Sequence, residues 1–482
     1  MVFSSIEFLF FFLPVVLLCV LIPHRYLQSI LLTILSLFFY AWGEGTYVLV
    51  MIGSIFFNWL TALLIAQQER HRRAWLAICV VGNLGALGYF KYAGFFTENV
   101  NWLLSAFGIS PIPIPAVVLP IGISFFTFQA MSYVIDVYRR DVAVQKDPIK
   151  VGLYVSLFPQ LIAGPIVRYI DVAAEINNRT VRLDNVYIGM NRFLVGLAKK
   201  VLIANKMGEV ADAVFALPPE SLNGYAAWVG TLCYTLQIYF DFSAYSDMAI
   251  GLGLFFGFHF LENFNFPYKA LSITDFWRRW HISLSTWFRD YVYIPLGGNR
   301  GGEARTYRNL LIVFFLCGLW HGAKWTFIFW GAFHGLLLIA ERMGLGRRVS
   351  GWWRPLQHFY VLLVVIIGWV FFRADTLTIA GQTLKAMAFL SPALSTPTSI
   401  HMVFGPEAKV VLLLGMIFAL DLPRQFSTWA SSKTRPQRTS VAGFGTRYVL
   451  PTVFQAYLFF LFLLCVMKLA VGTYNPFIYF RF

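Results

Sequence analysis

The sequence predicts an all-α protein threaded repeatedly through a lipid bilayer, and three observations carry that prediction. Hydrophobic residues make up 58% of the 482 positions and charged residues only 13%, about half of the roughly 25% that a water-exposed surface needs. Apolar runs recur along the whole chain, most of them at least the roughly 17 residues needed to cross ~30 Å of hydrocarbon. The 38 Lys and Arg residues outnumber 23 Asp and Glu, and they gather between those runs rather than within them.

The runs lie at 7–23, 26–42, 47–66, 74–90, 116–135, 151–167, 188–217, 225–258, 310–338, 359–372, 410–422 and 449–471. They predict about eleven to thirteen membrane elements around a central cavity. Some are expected to be short or re-entrant, because Gly, Pro or charge at mid-depth is tolerated only where protein covers the backbone. No Lys or Arg precedes the first run and no small-x-small cleavage site follows it, so it reads as a retained helix rather than a signal peptide. Clusters at Arg70, Arg72 and Arg73, at Arg139, Arg140, Lys146 and Lys150, at Arg342, Arg347, Arg348 and Arg354, and from Arg424 to Arg447 mark cytoplasmic loops. The loops near 93–112 and 375–408 are poor in Lys and Arg and should face outward. A formal charge of +15 therefore points to a membrane surface and not to nucleic acid. Five cysteines are scattered in apolar runs without metal-ligand or CxxC spacing. One membrane domain covers 1–482, with a core at 116–342, a cytoplasmic amphipathic or re-entrant segment at 272–300 and a flexible basic loop at 423–447.

Three stretches carry polar groups where apolar ones are expected. The run 225–258 is too long for one crossing, ~51 Å as a single helix, and it holds Asp241 and Asp247. It should bend into a protein-lined cavity or lie near an interface. The two carboxylates either pair internally or line a polar substrate path.

Segment 272–300, "SITDFWRRWHISLSTWFRDYVYIPLGGNR", opens with Ser272 and Asp275 at capping spacing. On a helical wheel Phe276, Trp280, Ser283, Leu284, Trp287 and Tyr291 share one face. Arg278 and Arg289 oppose them, with His281 at the border. That is the pattern of a helix lying in the membrane plane. Its arginines suit lipid headgroups or the phosphates of an incoming donor. His281 suits either a structural hydrogen bond or a site role.

Segment 316–335, "LCGLWHGAKWTFIFWGAFHG", places His321 beside Trp320 and Gly322, and His334 thirteen residues on. On one continuous helix the two rings would stand ~20 Å apart; "HGAKW" is a plausible break. A neutral imidazole in a dry site suits general-base chemistry, which contributes about 10²–10⁴-fold. The chain has no GxxxxGK[ST], HExxH, GxSxG or D-x-D motif, and no metal site is expected.

Six blocks carry a resemblance: "MVFSSIEFLFFFLP", "LPIGISFFTFQAMSYVIDVYRRD", "FPQLIAGPIVRY", "YFDFSAYSDMAIGLGLFFGFHFLENFNFPY", "FWRRWHISLSTWFRDYVYIPLGGN" and "GLWHGAKWTFIFWGAFHG". Together they resemble the membrane-bound O-acyltransferases, and within them the bacterial alginate O-acetyltransferases. The resemblance implies that His321 is catalytic, with His281 a second active-site residue. His334 matches a further motif histidine; with Trp320, and with Arg278, Arg289, Asp241 and Asp247 from the residue reading above, it makes the expected substrate-binding set. It also implies acetyl transfer from a cytosolic donor, acetyl-coenzyme A being the expected one, with no cofactor. The acetyl group would end on an exported polysaccharide with the help of an extracytoplasmic acetyltransferase or relay protein, at a bacterial inner membrane. Alginate, cellulose, peptidoglycan or another surface polymer could be the acceptor. A transporter without chemistry is the reading from another class.

Overall fold

The computed structural model describes residues 1–115, 117–392, 395–422, 450–472 and 474–477, and among these every regular element is a helix. The basic loop at 423–447 lies outside the described residues. Thirteen helices frame the argument: α1 (Arg25–Glu44), α2 (Val48–Gln67), α3 (Arg72–Leu87), α4 (Ala93–Ala106), α5 (Ile123–Arg139), α6 (Leu183–Ala198), α7 (Asn205–Phe215), α8 (Gly224–Phe255), α9 (Ile273–Arg279), α10 (Ile282–Phe288), α11 (Glu303–His321), α12 (Trp325–Ala340) and α13 (Arg354–Arg373). Among the described residues, five helical segments are long and apolar enough to cross a membrane: Arg25–Gln67, Glu69–Ala106, Trp325–Ser350, Arg354–Arg373 and Thr452–Ala470. The first spans both α1 and α2, which meet at Gly45–Tyr47. The remaining expected elements are shorter, broken or more polar.

The breaks follow local chemistry. In run 151–167 the helix Pro148–Ser156 stops at Leu157, and Pro159 starts a single turn, Phe158–Leu161. Run 310–338 breaks at 322–324 into α11 and α12, as "HGAKW" suggested. The two helices form a hairpin whose backbones touch. A Cβ on Gly318 would stand 2.4 Å from the Phe327 carbonyl oxygen, and one on Gly331 2.2 Å from that of Phe314. Only hydrogen fits at either place, the close approach that small residues allow between membrane helices.

Two expectations are corrected. Run 225–258 is not shortened by a break: α8 is one continuous helix of 32 residues, ~48 Å long. It tolerates that length because it is buried nearly all round by protein, chiefly α6 and α7, instead of facing lipid. Segment 272–300 is not one helix in the membrane plane. It breaks at Trp280–His281 into α9 and α10, and then widens into a π turn, Arg289–Tyr293. The apolar face foreseen on the wheel is real, since Phe276, Trp280, Leu284 and Trp287 are all buried. It packs on protein: Trp280 meets Trp369 at 4.8 Å between ring centroids, and Trp287 stacks on Phe128 at 3.8 Å. The Ser272 cap forms as expected, with Asp275 N–H donating to Oγ at 3.0 Å. A second clamp comes from Glu341 at the end of α12, whose carboxylate accepts from the Ile273 and Thr274 amides at 2.7 and 2.9 Å. The broken segment is thus pinned against the hairpin.

Candidate active site

His321 is the last residue of α11, at the tip of the hairpin, and it is 4% exposed. Its ring packs edge-on to Trp330 (5.2 Å) and Phe372 (5.0 Å), with its own neighbour Trp320 at 5.0 Å. His281 comes from the other strand of the argument, the α9–α10 break, and its ring centroid lies 6.4 Å from that of His321. The break turns the chain through a left-handed residue, His281 at φ 45°, an uncommon conformation for a side chain of this size. That turn aims the ring inward, where it is 1% exposed.

The hydrogen bonds around His281 define its tautomer. Asn263 Oδ1 accepts from Ser283 N (3.2 Å) and Ser283 Oγ (2.9 Å), while its Nδ2 donates to Ser246 Oγ at 3.1 Å. An oxygen already accepting these bonds cannot donate to the third neighbour, so His281 Nδ1–H donates to it at 3.1 Å. The neutral ring then presents Nε2 as a bare acceptor, and Nε2 has no partner among the described residues. Nδ1 of His321 likewise has none.

Three cavities border His321 or residues that touch one of the two imidazoles. One of about 140 Å³ is lined by His321, Trp320, Lys91 and Ser124. Another of about 210 Å³ is lined by Asn263, the partner of His281, with Ser246, Asp247, Arg192 and Lys199. A third of about 480 Å³ is walled by Phe327 and Phe372 and rimmed by Lys324, Arg373, Asp212 and Asp375. Phe372 is also the ring packed on His321. The first is walled in part by Leu119, Pro120, Ile121 and Gly122, just before α5, and the third by Ala374 and Asp375, just past the end of α13.

The other expected site residues scatter. Trp320 walls the first cavity and packs on Phe125 (5.1 Å) and His281 (5.9 Å). His334 is fully buried in a box of Phe276, Trp277 and Trp330, and it borders none of these cavities. Trp330 stands between it and His321, 5.2 Å from each. Asp241 pairs with Lys200 at 2.8 Å, both almost wholly buried. Asp247 pairs with Arg192 (2.9 Å) and Lys199 (2.6 Å) and borders the second cavity. Arg278 is exposed at the basic end. Arg289, also exposed, is paired with Asp290 at 2.7 Å. The sequence reading missed Asn263, Lys91 and Lys200. Lys91 is a lone charge in an aromatic and apolar run, and that anomaly was the available signal; Asn263 and Lys200 sit beside Glu262 and Lys199 and carry no such mark.

Comparison with known proteins bears on the family of the whole chain. Residues 125–379 match the model of MBOAT, the membrane-bound O-acyltransferase family. The chain is 42% identical to the "Probable alginate O-acetylase AlgI" of Azotobacter vinelandii, over the full length of both. It is 40% identical to the "Peptidoglycan O-acetyltransferase" of Helicobacter pylori, over 81% of this chain and 80% of that one. It is 27% identical to the "Teichoic acid D-alanyltransferase" of Bacillus subtilis, over 51% of this chain and 65% of that one. With the family model covering more than half of its residues, and both imidazoles within the matched span, the chain belongs to the membrane-bound O-acyltransferase family and is an O-acyltransferase.

Proposed function

We propose that this chain is a bacterial inner-membrane O-acetyltransferase serving an exported polysaccharide, alginate being the favoured acceptor. An acetyl thioester, taken as acetyl-coenzyme A, approaches from the basic, cytoplasmic end through the cavity at Asp247 and Asn263. A hydroxyl reaches His321 from the opposite end, carried by a sugar or by an extracytoplasmic relay protein. The unpartnered nitrogen of His321 accepts the hydroxyl proton as the oxygen attacks the thioester carbonyl carbon. The C–S bond breaks, the new ester C–O bond remains, and the proton passes to the departing thiolate. His281, locked by Asn263 with Nε2 free to accept, orients the reacting hydroxyl. The ring of Trp and Phe around both imidazoles keeps bulk water from the thioester.

Arg278 and the basic loops draw in a phosphate-bearing donor and anionic lipid headgroups. The pairing of Arg289 with Asp290 leaves it less suited to the same task. The single observation that carries the reading is the pair of neighbouring, buried and incompletely hydrogen-bonded imidazoles, one bordering a cavity and the other bonded to a residue that lines a second. The full-length likeness to an alginate O-acetylase favours alginate; the likeness to a peptidoglycan O-acetyltransferase makes cell-wall glycan the second reading.

The test is a His321→Ala chain expressed in a host lacking its own copy. We expect normal insertion and loss of acetyl ester from exported polymer, about 10²-fold or more by general-base arithmetic. NMR of secreted alginate and mass spectrometry of muropeptides, run side by side, identify the acceptor. Wild-type acetylation of both polymers in the His321→Ala strain would overturn the assignment.

A further inference from the structure

Lys91 is a lysine set among apolar helices, and its ammonium reaches the backbone that carries His321. It lies in Gly88–Tyr92, a one-turn π-helix joining α3 to α4. Such bulges widen the helical ring and recur at functional sites. Here two consecutive side chains reach the end of α11. Tyr92 Oη donates to the Leu319 carbonyl at 2.6 Å. Lys91 Nζ donates to the Trp320 carbonyl at 2.5 Å, to that of His321 at 3.3 Å and to Ser124 Oγ at 3.1 Å.

These three carbonyls close the last turn of α11, where a helix has no N–H of its own left to offer. The chain leaves them through an extended Gly322 (φ −167°, ψ 155°), whose own N–H is spent on Gly318. In a dry interior they would otherwise stand unsatisfied, at a free-energy cost. A cation at a helix C-terminus is favoured by the macrodipole as well. An ammonium carries three N–H groups, and the three oxygens named account for all of them. Lys91 therefore borders the cavity beside His321 without a donor to spare for substrate.

We propose that Lys91 is a positioning residue for His321. With Tyr92 it clamps the C-terminal turn of α11, so the imidazole is held through its backbone as well as by ring packing. The proposal rests on the reading of His321 as the base.

The test measures coenzyme A release from acetyl-coenzyme A by the full chain in native-host membranes, where its partners are present. Lys91→Met should lower kcat by about 10²-fold, the effect of a small misplacement of a reacting group, with KM for acetyl-coenzyme A unchanged. Tyr92→Phe, which deletes a single hydroxyl, should show a smaller loss, again in kcat alone. Lys91→Ala should regain activity when methylammonium is added, a response that a purely structural defect would not give. Unchanged kcat in both Lys91→Met and Tyr92→Phe would overturn the proposal, as would a rise in KM matching the fall in kcat, or no response of folded Lys91→Ala to the amine. If Lys91→Met does not accumulate, Tyr92→Phe and the amine response decide alone. His321→Ala is run in parallel. Loss of activity there with normal Lys91 and Tyr92 variants defeats only this proposal, whereas normal activity there defeats the reading beneath it.

Discussion

Two buried polar regions of this molecule follow opposite rules. Along α8 the carboxylates are matched: Asp241 faces Lys200, and Asp247 faces Arg192 and Lys199. At the tip of the α11–α12 hairpin the polar groups are uncharged when neutral and incompletely bonded. His281 Nε2, His321 Nδ1 and both nitrogens of His334 have no partner among the described residues. The difference teaches what each region is for. A buried charge must be neutralised where it stands, because desolvation alone costs several kcal/mol per ion. A neutral ring nitrogen can be left open for ~1–3 kcal/mol, a cost worth keeping where a passing substrate completes the bond. Lys200 also donates to the Pro476 carbonyl, so the charged pair ties α8 to the C-terminal segment. The α8 charges thus read as braces, and the imidazoles as the reactive region.

The contrast is sharpest where fold and activity should separate. His281→Ala should retain the thermal midpoint of the wild-type chain in detergent and lose about 10²–10⁴-fold in acetyl transfer. Full turnover by that variant would make His281 a second brace. Lys200→Met should do the reverse. It strands the Asp241 carboxylate and should destabilise the protein by about 3–5 kcal/mol, seen as an early thermal transition and low yield. The double variant Lys200→Met with Asp241→Leu should recover most of that loss, since an apolar pair replaces a charged one at little cost. A double variant as unstable as the single would remove Asp241 from the account.

How much of this was legible in the sequence depends on how local the determining interactions are. Lipid demands long apolar runs, so α1, α2 and α13 could be located nearly to their ends. The α11–α12 break carries its own signal in Gly322. The break at Trp280–His281 carries none: neither Gly nor Pro is present, and the left-handed turn of His281 is imposed by Asn263, whose Oδ1 binds the residues on the far side of it. The wheel over 272–300 identified the buried face, because one-sided apolarity is a local property. It misjudged the covering material, because Trp369 and Phe128 lie far away in the chain. Lys91 was visible as an oddity in an apolar run, but its partners lie some 230 positions away. His321 was legible as a base from an imidazole in an apolar run, and motif resemblance raised His281 from a possible site residue to a second catalytic candidate. Periodicity alone put His281 at a helix border and kept His321 and His334 apart.

His334 tests the contrast from its weak side, because it has open nitrogens yet borders none of the three cavities. Its ring lies between Trp277 and Trp330, and a Cβ on Gly368 would come within 2.8 Å of Nε2. The site is therefore filled on the α13 side. Trp330 separates it from His321, so a proton or acetyl group at His321 has no direct path to it. His334→Leu keeps an apolar side chain of moderate volume in the box and removes two unsatisfied nitrogens. The expected outcome is turnover close to wild type, with a stability gain of up to about 1 kcal/mol. Acetyl transfer and the thermal midpoint, measured on the same preparation, check both. Loss of transfer with an unchanged midpoint would place His334 in the substrate path, as its motif suggested. An open nitrogen remote from a cavity would then be as functional as one beside it, and incomplete hydrogen bonding alone would mark the reactive region.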